Sequence, residues 1–518
     1  MLISHSAPRG AAAGRLGAWL SGFGFLASAG LAVHVARSGP VELTVALPGG
    51  GLLAAWQLDA VALIGLLLMT GLATVIQAFA VNYLRGDRRA RRFALLAGAL
   101  TLTSAAMVMA DTLLTLAVAW TLSSVLLCAL LGLYRERPEA REGVRRTATA
   151  FAIGDAALWA AVAIVSLQWG QVTFAELGSL VDGTTLAAVA AALLVVTAAL
   201  ARSAQLPFQS WLPATLAAPT PVSALLHAGA VNAGGLLLIK VSPLVGAVPA
   251  AMWSTALIGA ATLVYGAVLM LVRPDVKGAL AHSTVAQMGF MVMTCGLGAY
   301  AAALVHLVAH GMYKANLFLG SGSAIAKVSA SGPTLAPQEP ASTASHRVRT
   351  GLVAALIPGA ALLAAHAALY PSTSAGAADS APLLLFAWLT GAWVAFGWLA
   401  GSLSWRRLAV SVGFAAPAAL AYVGLLASAS SLVAPSIEAA GPHHASSLLL
   451  LPLLLVLGAA AVLRSSPSGL GAGLGAALYA AALRTGPTVR ARQVRPAPRP
   501  RAWRPLAFPV AVQRQESH

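Results

Sequence analysis

Apolar runs of about twenty residues follow one another along nearly the whole chain, parted by short polar connections. A helix of that length crosses roughly 30 Å of hydrocarbon, and because the runs are continuous rather than alternating they fit membrane helices and not a β-barrel. The pattern predicts an all-α polytopic membrane protein of about 14 transmembrane helices. They fall at residues 15–37, 58–82, 93–110, 112–134, 147–167, 185–204, 222–245, 250–272, 279–297, 299–325, 350–370, 383–402, 408–430 and 446–464. One stretch breaks the pattern: residues 201–240 put Arg202, His227 and the prolines Pro207, Pro213, Pro219 and Pro221 inside an apolar segment. In hydrocarbon every backbone polar group needs a partner, so a proline-interrupted helix must lie against protein or a water-filled cavity. Arg202 and His227 then mark a polar route.

The connections carry charge unevenly. Alternate ones hold Arg85, Arg88, Arg89, Arg91 and Arg92, then Arg135, Arg137, Arg141, Arg145 and Arg146, then Arg273 and Lys277, Arg347 and Arg349, and Arg406 and Arg407. The opposite connections hold Glu42, Asp111, Glu176, Asp182, Asp379 and Glu438, with Arg37 as the basic exception. By the positive-inside rule the arginine-rich side is cytoplasmic, which places both termini there. Residues 469–483, rich in Gly and Ala, are expected to stay inside, and the Arg- and Pro-rich tail from residue 484 reads as a solvated arm beside anionic lipid or a partner. The first apolar run is long enough to remain as a helix, so no cleavable signal peptide is expected. The implied organisation is N-terminal helices over residues 1–110, a first repeat over 111–245, a second, divergent repeat and C-terminal helices over 246–464, and the tail over 465–518.

Composition narrows the function. Only 9% of the 518 residues are charged and 59% are hydrophobic, which excludes a soluble globular chain. The net charge of +17 sits in the connections and tail, so it speaks of membrane topology and lipid rather than nucleic acid. Cys128 and Cys295 are too few and too far apart for an iron–sulfur or zinc motif, and no phosphate-binding loop is present. No cofactor is expected in this chain, and its energy must come from an ion gradient or a partner.

Further polar residues recur within or at the ends of spans: Asp155, Asp275, Lys277, His282, His306, His310 and Lys314. The last three are spaced i, i+4, i+8 and share one helical face. Two histidines and a lysine on one stripe suit a proton relay, since His titrates near neutrality and burial lowers a lysine toward it. The plainer alternative is that the histidines only bond neighbouring helices. Zinc lacks a third ligand nearby. Asp155 needs a partner, for which Arg202 or a water cavity would serve.

At these residues the chain resembles the antiporter-like subunits of respiratory complex I, the subunit L group, shared with multisubunit sodium/proton antiporters and hydrogenases. The carrying motifs are SAQLPFQSWLP (residues 203–213), PTPVSALLHAG (219–229), DVKGALAHSTVAQMGF (275–290) and HLVAHGMYKANLFLGSGS (306–323). The resemblance implies two inverted five-helix repeats, each with a broken helix, and a central polar axis. It implies pathway roles for His227, Lys277, His306, His310 and Lys314. The chain also departs from that pattern. Where the family has Trp-Glu it has Trp120-Thr121, where the family has Lys before Ser-Ala-Gln it has Arg202, and the second broken-helix lysine has no counterpart between residues 349 and 402. Arginine hardly deprotonates, so Arg202 cannot exchange protons as a lysine does.

These departures, with PATLAAPTPVSALLHAGAVNAGG over residues 213–235, resemble the DabB branch, the membrane subunits of two-component bacterial inorganic-carbon accumulation systems. That resemblance implies a bacterial inner-membrane location, a DabA-like zinc-binding partner and uptake of CO2 or bicarbonate driven by H+ or Na+. In this expectation Asp155 and Arg202 set the field at the first broken helix, His227 and Lys277 link the repeats, and His306, His310 and Lys314 carry protons. The alternatives are a translocating subunit of a complex I, Mrp or hydrogenase assembly, and a scaffold that conducts nothing.

Overall fold

The computed structural model describes residues 7–434 apart from 47, 49–50, 274, 332–343 and 371–380, together with residue 480. The expected helix at 446–464, the segment 469–483 and the basic tail lie outside the described residues. The chain runs through α1 (Ala7–Ser38), β1 (Val41–Ala46), β2 (Leu52–Leu58), α2 (Ala60–Tyr83), α3 (Ala90–Met109), α4 (Leu113–Leu131), α5 (Pro138–Trp169), α6 (Phe174–Leu180) and α7 (Leu186–Arg202). It continues through α8 (Thr220–Ala228), α9 (Ala233–Lys240), α10 (Ser242–Gly246), α11 (Pro249–Val272), α12 (Val276–Gly296), α13 (Tyr300–Ser331), α14 (Ala344–Leu369), α15 (Ala381–Leu399) and α16 (Trp405–Val433). Among the described residues nine helices are long and apolar enough to cross a membrane, and α7 and α15 are shorter apolar helices.

Helix starts follow local chemistry. Asp59, Thr112, Thr185 and Asp275 each accept an amide of the first turn of α2, α4, α7 and α12, the usual N-cap arrangement. Helix α5 begins about nine residues before its expected start, because Pro138 suits a first turn and Glu142 bonds Arg145 and Arg146 along the helix. A feature the apolar pattern did not reveal is the antiparallel hairpin β1–β2 between α1 and α2. It sits on one face with the other connections of that side: Asp111 N–H donates to the Ala55 carbonyl at 2.9 Å, Phe174 N–H to the Asp111 carbonyl at 3.0 Å, and Thr112 bridges Thr173. The arginine-rich connections meet on the other face, where Tyr134 donates to Asp87 and Arg89 pairs with Glu136.

One large core joins α2–α5, α7–α9 and α11–α13, and a smaller one, with Leu362, Ala365, Ala419 and Val423, joins α14 to α16. The run through α8 and α9 is its centre: 83% of the most apolar window is buried there, against 11% in α1, whose Trp19 and Phe23 face outward as lipid contacts do. Helices α11 and α12 approach through glycine. A Cβ on Gly259 would lie 2.4 Å from the Met293 amide nitrogen and one on Gly289 2.5 Å from that of Leu263, so only glycine permits this backbone contact. That contact fixes α12 against the core, with His282, Thr284 and Gln287 along it.

Candidate ion-conducting site

The first half of the site forms where α7 ends. Gln205 N–H donates to the Leu200 carbonyl at 2.9 Å and Ala204 takes φ +51°, a Schellman-type turn with alanine at a position that favours glycine. Trp211 Nε1 donates to the Ala201 carbonyl at 2.9 Å and closes the same helix end. Arg202, only 2% exposed, therefore points into the bundle from the last turn. Its guanidinium lies 4.3 Å from the ring centroids of both Trp120 and Phe151. It donates to Ser123 Oγ at 3.0 Å, to the Trp120 carbonyl at 3.0 Å and to Ser124 Oγ. Asp155 accepts from Trp120 Nε1 at 2.8 Å and Ser124 Oγ at 3.1 Å, and lies 3.8 Å from Arg202 Nη2. Helical spacing explains the cluster: Trp120, Ser123 and Ser124 share a face of α4, and Phe151 and Asp155 share one of α5. Of the two partners offered for Asp155, the structure supplies Arg202. Thr121, next to Trp120, accepts instead from the exposed Trp159 and lies outside the cluster.

The four prolines flank helices rather than kink them. Pro207, Pro213 and Pro219 lie between α7 and α8, and Pro221 stands in the first turn of α8, where its missing N–H costs nothing. The interruption within the apolar run is proline-free and falls at residues 229–232. It frees carbonyls that an unbroken helix would use internally. Ala228 O accepts from Asn232 Nδ2 at 2.8 Å, Val231 O from Ser203 Oγ at 2.7 Å, and His227 O meets His310 Nε2 at 3.1 Å. A carbonyl only accepts, so His310 Nε2 carries a proton and Nδ1, buried without a protein partner, is its other ring nitrogen. His227 Nδ1 lies 3.2 Å from Thr284 Oγ1, and its ring stacks on Phe318 at 4.4 Å.

The second half runs along α13. His306 and His310 have ring centroids 5.8 Å apart. Fully buried Lys314 donates to the Leu280 carbonyl at 3.3 Å and to Ser283 Oγ. The structure thus joins His227, His306, His310 and Lys314 across α8, α12 and α13. Lys277 is not joined to them: it is half-buried in the first turn of α12 and makes no hydrogen bond or ion pair among the described residues. A charge at a helix start near the membrane edge reaches water more readily than the bundle interior. Sequence reasoning also passed over Ser123, Ser124, Ser203, Asn232 and Thr284. Small hydroxyl and amide side chains inside apolar runs are the signal for them.

Among buried side-chain atoms, Gln205 Oε1, Asn232 Oδ1, His282 Nδ1, Gln287 Oε1, His306 Nε2 and His310 Nδ1 have no protein partner. Buried polar groups need a partner, so each of these atoms has hydrogen-bonding capacity that a bridging water would fill.

Residues 110–339 match the family described as NADH:quinone oxidoreductase/Mrp antiporter, TM. The chain is 35% identical over 347 residues to "Probable inorganic carbon transporter subunit DabB1" of Halothiobacillus neapolitanus, covering 64% of this chain and 62% of that protein. It is 36% identical over 288 residues to "NADH-quinone oxidoreductase subunit L" of Mycobacterium tuberculosis, covering 54% of this chain and 45% of that one. In both cases the chain spans less than two thirds of the relative's length. Among solved structures, a chain of the Mrp complex from Dietzia sp. DQ12-45-1b aligns with a TM-score of 0.60 at 25% identity, over 93% of this chain and 59% of that chain. The helical, antiporter-like membrane fold expected from the sequence is therefore the fold of this chain, with the β1–β2 hairpin as its departure from all-α.

Proposed function

We propose that this chain, whose residues 110–339 match the NADH:quinone oxidoreductase/Mrp antiporter transmembrane family, is the cation-conducting membrane subunit of an inorganic carbon uptake complex, with H+ as the conducted ion. The observation that carries conduction is the buried row in which His310 bonds the freed carbonyl of His227, the His306 ring centroid lies 5.8 Å from that of His310, and Lys314 anchors the same helix face. Each member is a group that binds and releases protons, and the partnerless atoms beside them provide places for bridging water. Arg202 stays charged and Asp155 answers that charge, so this pair sets the field at the first half of the path rather than passing protons. One charge moved across 100 mV supplies about 2.3 kcal/mol, enough to drive accumulation when several protons flow.

Likeness to the DabB1 protein supports the carbon-uptake assignment, and a DabA-like zinc-binding subunit is the partner we assign, with CO2 hydration or bicarbonate release occurring on that partner. Both termini lie on the cytoplasmic side of a bacterial inner membrane in this reading. The likeness to subunit L favours a second reading, a proton- or sodium-translocating subunit of a complex I, Mrp or hydrogenase assembly. Isolation of the native complex separates the two. A companion carrying stoichiometric zinc, and growth in air of a carbonic-anhydrase-deficient host that is lost on H306A or K314A, support carbon uptake. Respiratory or antiporter companions, or growth unchanged in correctly assembled variants, refute it.

A further inference from the structure

Three ionisable side chains gather away from the histidine row, on the face opposite the arginine-rich connections. Asp59, Asp111 and Lys240 are 7%, 8% and 8% exposed. Asp59 precedes α2 and caps it through Ala62 N–H at 2.7 Å, a task that Asn or Ser performs equally well. Asp111 lies in the turn between α3 and α4, held by its backbone to Ala55 and Phe174. Lys240 ends α9. The Asp111 carboxyl has the Phe174 backbone amide beside it, and neither it nor the Lys240 ammonium has an ion-pair partner within 4 Å among the described residues, yet the lysine is charge-coupled to both acids. The fold thus buries an acid and a lysine that no close ion pair neutralises among the described residues. Ionisable groups kept in a membrane protein at that cost usually serve transport.

Position adds to chemistry. Lys240 closes the discontinuous run, and His227 stands beside the break in its middle, so this cluster lies at one end of the same broken element whose centre meets the histidine row. The hairpin β1–β2 covers the cluster, with the Trp56–Ala110 bridge and the Ala55 N–H to Thr115 Oγ1 bond of 3.4 Å tying it down.

We propose that Asp59, Asp111 and Lys240 form a proton-exchange station at the mouth of the conducting axis on this face. The inference rests on the ion-conduction reading. A proton arriving from water converts the Asp111 carboxylate to the neutral acid. The Lys240 ammonium, having lost part of its compensating charge, releases its own proton toward the axis, and the acid proton then passes to the lysine amine. One proton enters and one leaves, and the carboxylate and ammonium are restored. The groups facing Asp111 are Lys240 from α9, Asp59 before α2 and Glu42 from β1, with the Phe174 amide of α6 on its backbone oxygen and beside its carboxyl. Burial pushes the Asp111 carboxyl up to about 6, against the opposing pull of Lys240, and the two acids add to the rise. A carboxyl held there exchanges protons near neutrality.

The test uses the purified full chain in two measurements. Infrared difference spectra across the range around pH 6 should show a carboxyl band that disappears in D111N, moves to higher pH in K240Q and moves to lower pH in D59N, whose amide oxygen still caps α2. Proton flux into dye-loaded vesicles should fall at least about tenfold in D111N. A carboxyl band identical in wild type and D111N, a band unmoved by D59N and K240Q, or wild-type flux in D111N overturns the station. If wild type conducts no faster than H310Q, the conduction reading itself fails, and the infrared arm alone decides whether Asp111 exchanges a proton.

Discussion

Replacing His310 in two ways separates its bond to the broken helix from its capacity to carry a proton. In H310A the His227 carbonyl loses its donor, at 3.1 Å in the native protein, inside a fully packed region. An unsatisfied buried acceptor costs about 1–3 kcal/mol, and the volume left by the ring adds about 2 kcal/mol. Together these give a loss of about 3–5 kcal/mol, visible as a lowered Tm in detergent. In H310Q the side-chain amide is able to donate to the same carbonyl, so stability should stay within about 1 kcal/mol of wild type. Glutamine does not titrate. If His310 hands on protons through Nδ1, H310Q should conduct at least about 100-fold more slowly in vesicles while remaining folded. Wild-type proton flux in a stable H310Q would refute the relay and leave His310 as a helix tie.

Three further outcomes follow from particular contacts. D155N keeps the acceptor for Trp120 and Ser124 but strips Arg202 of its counter-charge, so thermal unfolding should register a loss of about 3 kcal/mol; an unchanged Tm would show that the 3.8 Å pair contributes nothing. A204G relieves the left-handed φ of +51° at a buried alanine and should raise stability by about 0.5–1 kcal/mol, read as a higher Tm with flux unaltered. In G311A the new Cβ would lie 2.9 Å from the Ala228 carbonyl, which pushes α13 off the break; a cost of about 1–3 kcal/mol and reduced flux are expected, and neither should appear if α13 can slide freely there.

The sequence carried some of this site openly and hid the rest, for reasons rooted in geometry. His306, His310 and Lys314 were legible because helical periodicity fixes which residues share a face, whatever surrounds the helix. Arg202 stood out because a lone guanidinium in an apolar segment needs partners, but Ser123 and Ser124 became its partners only through the packing of α4 on α7. The hairpin β1–β2 was masked by its place between two long apolar helices, with strands of six and seven residues. The prolines drew attention to residues 201–240, yet the interior break needed no proline. Gly229 already leaves the helical path, and the amide side chain of Asn232 takes up a carbonyl so released.

That break explains why a histidine row on α13 sits where it does. An unbroken α8–α9 helix would bind the His227 and Ala228 carbonyls internally and present α13 with a sealed surface. Interrupted at residues 229–232, the run offers one carbonyl to His310 and lets Gly311 pass close to the next. The hydrogen bond then fixes which His310 nitrogen carries the proton, and the other nitrogen is left without a protein partner. Discontinuity in one helix thus sets protonation geometry on another. It follows that substitutions restoring helix continuity at Gly229 or Asn232 should disturb conduction without touching a titratable group. Conduction preserved in a variant whose His310–His227 bond is demonstrably lost would break that chain of dependence.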